Sequence, residues 1–202
     1  FDAVQGTAAG VIAAEAAKAG VAKFVHVSAI GADENSASRY ARSKAAGEAA
    51  VKIAFPTATI LRPSIVFGPD DDFFNRFGGM AEAVSFLPLI GGGKTKFQPV
   101  YVDDVARAAF AALTSDAAEG KTYELGGPTI YSFKELMELV VAQTGRKCRL
   151  VDIPFWFASL KATFLEMLPT PPLTRDQVIL LKSDNVVSEG AATLKDLGIK
   201  PT

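Results

Sequence analysis

Tyr40 and Lys44 stand four residues apart in an alanine-rich stretch, and Ser28 closes a short apolar run twelve residues before Tyr40. On a helix, residues i and i+4 share a face, so a phenol and an ammonium would point into one place. A free phenol titrates near ~10. A cation a few ångströms away lowers such a group by about 1–3 units. A tyrosine in that position gives or takes a proton near neutral pH, and a serine hydroxyl beside it can hold the reacting oxygen. This is the chemistry that interconverts an alcohol and a carbonyl with a nicotinamide cofactor. The spacing alone is not specific. Of the four tyrosines only Tyr40 has lysine at i+4; Tyr101, Tyr123 and Tyr131 have Val105, Gly127 and Glu135 there. A surface helix with an incidental pair would look the same, so the surrounding elements decide.

Residues 3–19 are alanine-rich and read as a helix stopped by Gly20. Lys23 to Ser28 is continuously apolar in its centre, which suits a parallel strand buried on both faces. A small, polar loop leads to a helix over 39–54, where Gly47 and Val51 extend the face of Tyr40 and Lys44 and the alanines allow close packing. Thr57 to Arg62 is the next strand, closed by Pro63. Alternating strand, helix and strand predict an α/β, doubly wound parallel sheet of Rossmann type. Residues 71–202 read as a mixed, small α+β substrate-side region, with 96–128 returning to the Rossmann core.

Further elements are predicted in that second part. A helix spans roughly 73–84 and strands span 96–102, 121–125 and 147–153. Asp103 or Asp104 should cap a helix that runs to about Leu113. Ser132-x-x-Glu135 and Thr174-x-x-Gln177 are capping boxes, and the chain closes on a short helix stopped by Gly198. Pro154 opens an aromatic segment with Phe155, Trp156, Phe157 and Phe164. It is too short to cross a bilayer. It is expected to pack over the substrate side of the core, with a membrane surface or a partner as the alternatives.

Three motifs invite other chemistry. Asp70-Asp71-Asp72 resembles a metal cluster, but carboxylates at a helix start cap free N–H groups, and no metal site is expected. Gly91-Gly92-Gly93-Lys94-Thr95 hints at a phosphate loop, yet Pro88 occupies the position of its first glycine and a strand follows it. His26 lacks a second ligand at suitable spacing and is expected to be a satisfied core residue. Cys148 is the only cysteine, so no internal disulfide forms, which fits a reducing, cytoplasmic setting. A net charge of −1 gives little pull on nucleic acid. No apolar run is long enough for a spanning helix.

Four stretches in order resemble the short-chain dehydrogenase/reductase superfamily in its extended and atypical branches, the epimerase/dehydratase-like proteins. They are Phe24-Val25-His26-Val27-Ser28, Tyr40-Ala41-Arg42-Ser43-Lys44, the run from Leu61-Arg62-Pro63 to Gly68-Pro69, and Pro99 to Ala106. The run from Ser38 to Glu48, Asp72-Phe73-Phe74-Asn75 and Leu173-Thr174-Arg175-Asp176 carry a narrower likeness, to the NADPH-binding accessory subunits of respiratory complex I and their bacterial relatives.

The resemblance implies that residues 1–70 are the C-terminal half of a dinucleotide-binding domain, with NAD or NADP as cofactor and a small-molecule substrate such as a sugar nucleotide. Tyr40 would be the general acid/base. Lys44 would bind the nicotinamide ribose and depress the Tyr40 pKa, and Ser28 would orient the reacting oxygen. Val27, Pro63, Ile65 and Val66 would line the nicotinamide, and Gln98 would face the substrate. Asp103 would support the fold. The glycine-rich turn that such proteins place after their first strand is not found from Phe1 onward, so a preceding segment is expected to hold it. Two functions remain open: hydride transfer on a hydroxyl or carbonyl substrate, and a non-catalytic NADPH-binding subunit or assembly factor of respiratory complex I. Pairing of two copies through helices 3–19 and 39–54, a respiratory-complex partner, and a place peripheral to the inner membrane complete the expectations.

Overall fold

The computed structural model describes residues 2–145 and 147–202. A π-helical turn, Asp2–Thr7, runs into α1 (Ala8–Lys18), and β1 (Val25–Val27), α2 (Arg39–Ala54) and β2 (Thr59–Pro63) follow as one strand–helix–strand unit. Next come β3 (Val66–Phe67), α3 (Asp72–Ala83), β4 (Phe86–Ile90), β5 (Lys96–Phe97), β6 (Val100–Tyr101) and α4 (Val102–Thr114). The last third holds β7 (Thr122–Leu125), β8 (Tyr131–Ser132), α5 (Phe133–Thr144), β9 (Arg149–Ile153), α6 (Phe155–Leu165) and α7 (Arg175–Leu180).

The site is positioned by a parallel sheet in the order β1-β2-β7. His26 pairs with Ile60, Val27 with Leu61, and Leu61 with Tyr123. Neighbours along β2 point to opposite faces. Ile60 goes to α1 and α2, among Ala9, Ala13, Val51 and Phe55. Leu61 goes to α4, among Ala108, Ala112, Leu125 and Leu194. Each such buried aliphatic side chain contributes about 1.5–3 kcal/mol relative to exposure. This is the helix–sheet–helix layering expected from the alternating elements. The chain after residue 190 returns to this sheet: Ala192 bridges Tyr123 and Leu194 is buried beside α4.

A second cluster lies between α3 and α5. Phe73, Phe77, Phe97 and Phe133 pack edge-on or tilted there, over Leu87, Leu136 and Met137. β4 pairs in parallel with β9, and β5 pairs antiparallel with β8. β4 is absent from the sequence-based expectations, because Pro88 interrupts its apolar run. A two-stranded sheet has only edges, where a proline without an N–H is tolerated.

Other expectations change in part: the strand expected over 96–102 is split into β5 and β6, and α4 already starts at Val102. Neither Asp103 nor Asp104 caps α4; Tyr101 holds the cap position without a side-chain bond. Asp104 is buried in the first turn and accepts from the Thr202 amide at 2.7 Å and its hydroxyl at 3.1 Å, pinning Thr202 to α4. α6 packs over a buried cluster with Ile90 and Val178, but of its aromatics Phe155 is the one that joins that cluster. It turns Ala158 and Ala162 inward and leaves Trp156, Leu160 and Phe164 outside. Gly91 to Gly93 form a tight turn with φ of 64°, 71° and 65°, and a Cβ on Gly91 would run into the Phe155 ring. That turn explains the three glycines without a bound phosphate.

Candidate active site

Ser28 extends the ladder past β1. Its amide donates to the Leu61 carbonyl at 2.7 Å, and Ile30 repeats the bond to Pro63 at 3.0 Å. Ser28 therefore lies at the carboxyl edge of the sheet beside the end of β2. His26 and Ser28, two residues apart along an extended chain, face the same way. That way is toward α2: His26 is in register with Ile60, which packs on Val51, and the charges of Lys44 and Glu48 both act on its imidazole. α2 begins at the same sheet edge, since its N-cap follows the loop from Ser28. Ser38 holds that end, its Oγ accepting from the Ala41 amide at 3.2 Å. Ser28, Tyr40 and Lys44 are thus carried to one face and one end of the sheet.

Lys44 is buried, with its Nζ 5.7 Å from the Tyr40 ring centroid. The ammonium lies over the ring, and burial lowers its pKa while Glu48 pulls it back up. Tyr40 is half-buried, and burial pushes its phenol above the ordinary value. This reverses the direction expected from a neighbouring cation. Desolvation of the phenolate is the cause. Ser28 is 4% exposed, and its Oγ has no hydrogen-bond partner among the described residues; the same is true of His26 Nε2.

A chain of charges supports the site from below. Glu48 receives two bonds from Arg62, at 2.8 and 2.7 Å. Arg62 also lies 3.7 Å from Glu124, its partner in register on β7. The bond to Glu48 raises the Arg62 pKa and outweighs the burial that lowers it. Glu124 in turn accepts from the Ser188 amide at 2.7 Å. Sequence reasoning misses Glu48 as part of the site, although its place one helical turn after Lys44 on a buried face is a usable signal.

The remaining residues divide. Pro63 is buried at the end of β2, beside Ser28. Ile65 packs against the aromatic cluster and Val66 against the sheet cluster. Val27 is 47% exposed, on a strand whose outer edge is open among the described residues. Gln98 has its amide committed: Nε2 donates to the Gly127 carbonyl at 2.8 Å and Oε1 accepts from the Val187 amide at 3.1 Å. Its visible work is to join two loops. Asn185, unmarked by any sequence motif, binds Ser64 Oγ at 2.7 Å, the Ile30 carbonyl at 3.3 Å and the Lys96 carbonyl at 2.8 Å. It fastens the loops after β1 and β2 to β5.

Residues 5–126 match the model of the NAD dependent epimerase/dehydratase family. The chain belongs to that family. The nicotinamide cofactor class, NAD or NADP, follows from membership. The chain is 42% identical over 192 residues to the mitochondrial protein of Arabidopsis thaliana named NADH dehydrogenase (ubiquinone) 1 alpha subcomplex subunit 9, covering 90% of this chain and 48% of that one. To the protein of the same name from Mus musculus it is 36% identical over 193 residues, covering 95% and 51%. The chain thus spans about half the length of these curated relatives. Among solved structures, UDP-glucose 4-epimerase of Thermotoga maritima with UDP-glucose superimposes with a TM-score of 0.70 at 20% identity, over 98% of this chain and 64% of that one. At that identity the likeness shows the fold.

Proposed function

We propose that this chain supplies the proton-transfer side of a site that binds NAD or NADP and moves a hydride to or from a hydroxyl- or carbonyl-bearing small molecule. One observation carries the reading: the buried Ser28 Oγ is left without a partner among the described residues, at the sheet edge to which Tyr40 and Lys44 are brought. Leaving a buried hydroxyl unpaired costs about 1–3 kcal/mol, a cost that an oxygen of substrate or cofactor would offset. Ser28 would hold the reacting oxygen and Tyr40 would exchange its proton. Lys44 would donate to the nicotinamide ribose, with Val27, Pro63, Ile65 and Val66 as the apolar wall. When bound, the nicotinamide supplies or accepts the hydride. Burial keeps the Tyr40 phenol protonated through neutral pH. Tyr40 therefore rests in the proton-bearing form that reduction needs, while oxidation gains as pH rises toward the raised phenol value. The similar epimerase was solved with UDP-glucose, which makes sugar nucleotides the first substrates to test.

A second reading has its own support, the curated relatives named as NADH dehydrogenase subunits. The chain would then hold the dinucleotide with little turnover, as a subunit of respiratory complex I or a factor in its assembly. It would sit peripheral to the membrane, with the exposed aromatic side of α6 against a partner. No helix among the described residues is long and apolar enough to cross a membrane. Pairing of two copies is supported by Val4 in the turn before α1, Val11 and Ile12 of α1 and Ile53 of α2, all outward.

Hydride transfer, assayed with both dinucleotides and a panel of sugar nucleotides and carbonyls, separates the readings. An enzyme shows turnover that falls by about 100-fold or more in Tyr40→Phe, with dinucleotide binding kept. A subunit binds the dinucleotide, shows no turnover and copurifies with respiratory-chain proteins. Absence of dinucleotide binding overturns both, and a monomeric solution mass removes the pairing.

A further inference from the structure

The first turn of α2 is held by a residue from the far end of the chain. A helix leaves its first N–H groups without intrahelical partners. Ser38 accepts from Ala41 in the local manner. The next two donors go to Asp176, the second residue of α7. Its Oδ1 accepts from the Arg39 amide at 2.7 Å, and its Oδ2 accepts from the Tyr40 amide at 3.1 Å and the Ser38 hydroxyl at 2.9 Å. A carboxylate there also complements the positive end of the helix dipole.

Asp176 is itself delivered by a built connection. The Thr174–Gln177 capping box starts α7. Arg175 binds Glu166, at the end of α6, through its amide and its guanidinium, both at 2.8 Å. A continuous path therefore runs from exposed α6, through Glu166 and Arg175, to Asp176 and the backbone of Tyr40.

We propose that Asp176 is a positioning residue for the tyrosine–lysine pair: it fixes the turn that carries Tyr40 and ties that turn to the C-terminal helices. The proposal rests on the reading of Tyr40 as the acid/base of the site. Any partner that moves α6 and α7 would then act on Tyr40 through this carboxylate.

Spectrophotometric titration of the tyrosines tests this, with Tyr40→Phe identifying the Tyr40 component. In Asp176→Ala the turn opens to water, and the Tyr40 midpoint falls toward the ordinary phenol value of about 10. Asp176→Asn keeps one acceptor oxygen and gives a smaller fall; it also decides the matter if the alanine variant does not fold. Asp71→Ala removes the cap of α3, where Asp71 accepts from the Phe74 amide at 2.5 Å, and leaves the Tyr40 midpoint in place. Dinucleotide affinity falls about tenfold in Asp176→Ala, a loss of roughly 1.4 kcal/mol. A Tyr40 midpoint unmoved in both Asp176 variants overturns the proposal, as does an equal movement in Asp71→Ala. If the unaltered protein binds no dinucleotide, the cofactor reading falls, and the titration still decides the role of Asp176.

Discussion

His26 is where the residue scale departs most from expectation. The sequence predicts a satisfied core histidine, yet its buried Nε2 finds no partner among the described residues. Burial first, and the Lys44 charge second, hold its pKa below the ordinary value, while Glu48 opposes them. The folded chain thus keeps the imidazole neutral at pH values where the unfolded chain, with an ordinary histidine near ~6.5, takes up a proton. Stability from this group is complete above about 6.5 and is lost as pH falls from there toward the lower folded value. Urea unfolding at neutral and mildly acidic pH should show that loss, and His26→Leu should show less of it. A His26→Leu protein with the same pH slope would assign the loss to carboxylates instead. The chemistry of the site is legible where it is local. Tyr40 and Lys44 are joined by helical spacing and Ser28 by the end of a strand. Arg62 with Glu48, and Asp176 with Tyr40, are joined only by folding, and contacts between distant residues leave no period in a sequence.

The same division governs the elements. α2 is legible to the residue because Ser38, a run of good helix formers and no early breaker all agree. The start of α4 misleads because Asp104 has a distant partner, Thr202, that local rules do not see, and Asp103 pairs with Arg107 one turn on. β4 escapes local reading because its pairing with β9 depends on residues more than fifty positions away. The contact of α1 with α2 makes a prediction at this scale. A Cβ on Gly47 would collide with the Gln5 carbonyl oxygen, a backbone atom that cannot rotate aside. Gly47→Ala should force the turn Asp2–Thr7 away and cost about 1–3 kcal/mol. Gly78, inside α3, has nothing within 4 Å of its Cβ position. Gly78→Ala should therefore stabilise by about 0.5–1 kcal/mol through helix propensity alone. Denaturation midpoints moving in opposite directions would support both; a neutral Gly47→Ala would mean that the helices separate freely.

At the scale of the whole molecule, the apolar surface is not spread evenly. The sheet hides its aliphatic side chains under α1, α2 and α4, and the second cluster hides its phenylalanines between α3 and α5. α6 does the reverse: Trp156 is 69% exposed and Met167, just beyond it, 83%, with Leu160, Phe164 and Leu168 between half and two-thirds exposed. Trp156, Leu160 and Phe164 recur every four residues and so form one stripe, while Ala158 and Ala162 fill the buried side. Exposed apolar groups gathered in this way mark contact surfaces rather than core. Folding does not need them, so Trp156→Gln with Phe164→Gln should change stability by no more than about 0.5 kcal/mol each. Association should respond instead. If the chain docks through α6, the double variant should fail to copurify with respiratory-chain proteins while its melting temperature and dinucleotide binding stay in place. Retained association would move the contact elsewhere, with the outward residues of α1 as the next surface to alter. A large loss of stability would show that the stripe packs against the chain's own remainder and is not open to a partner.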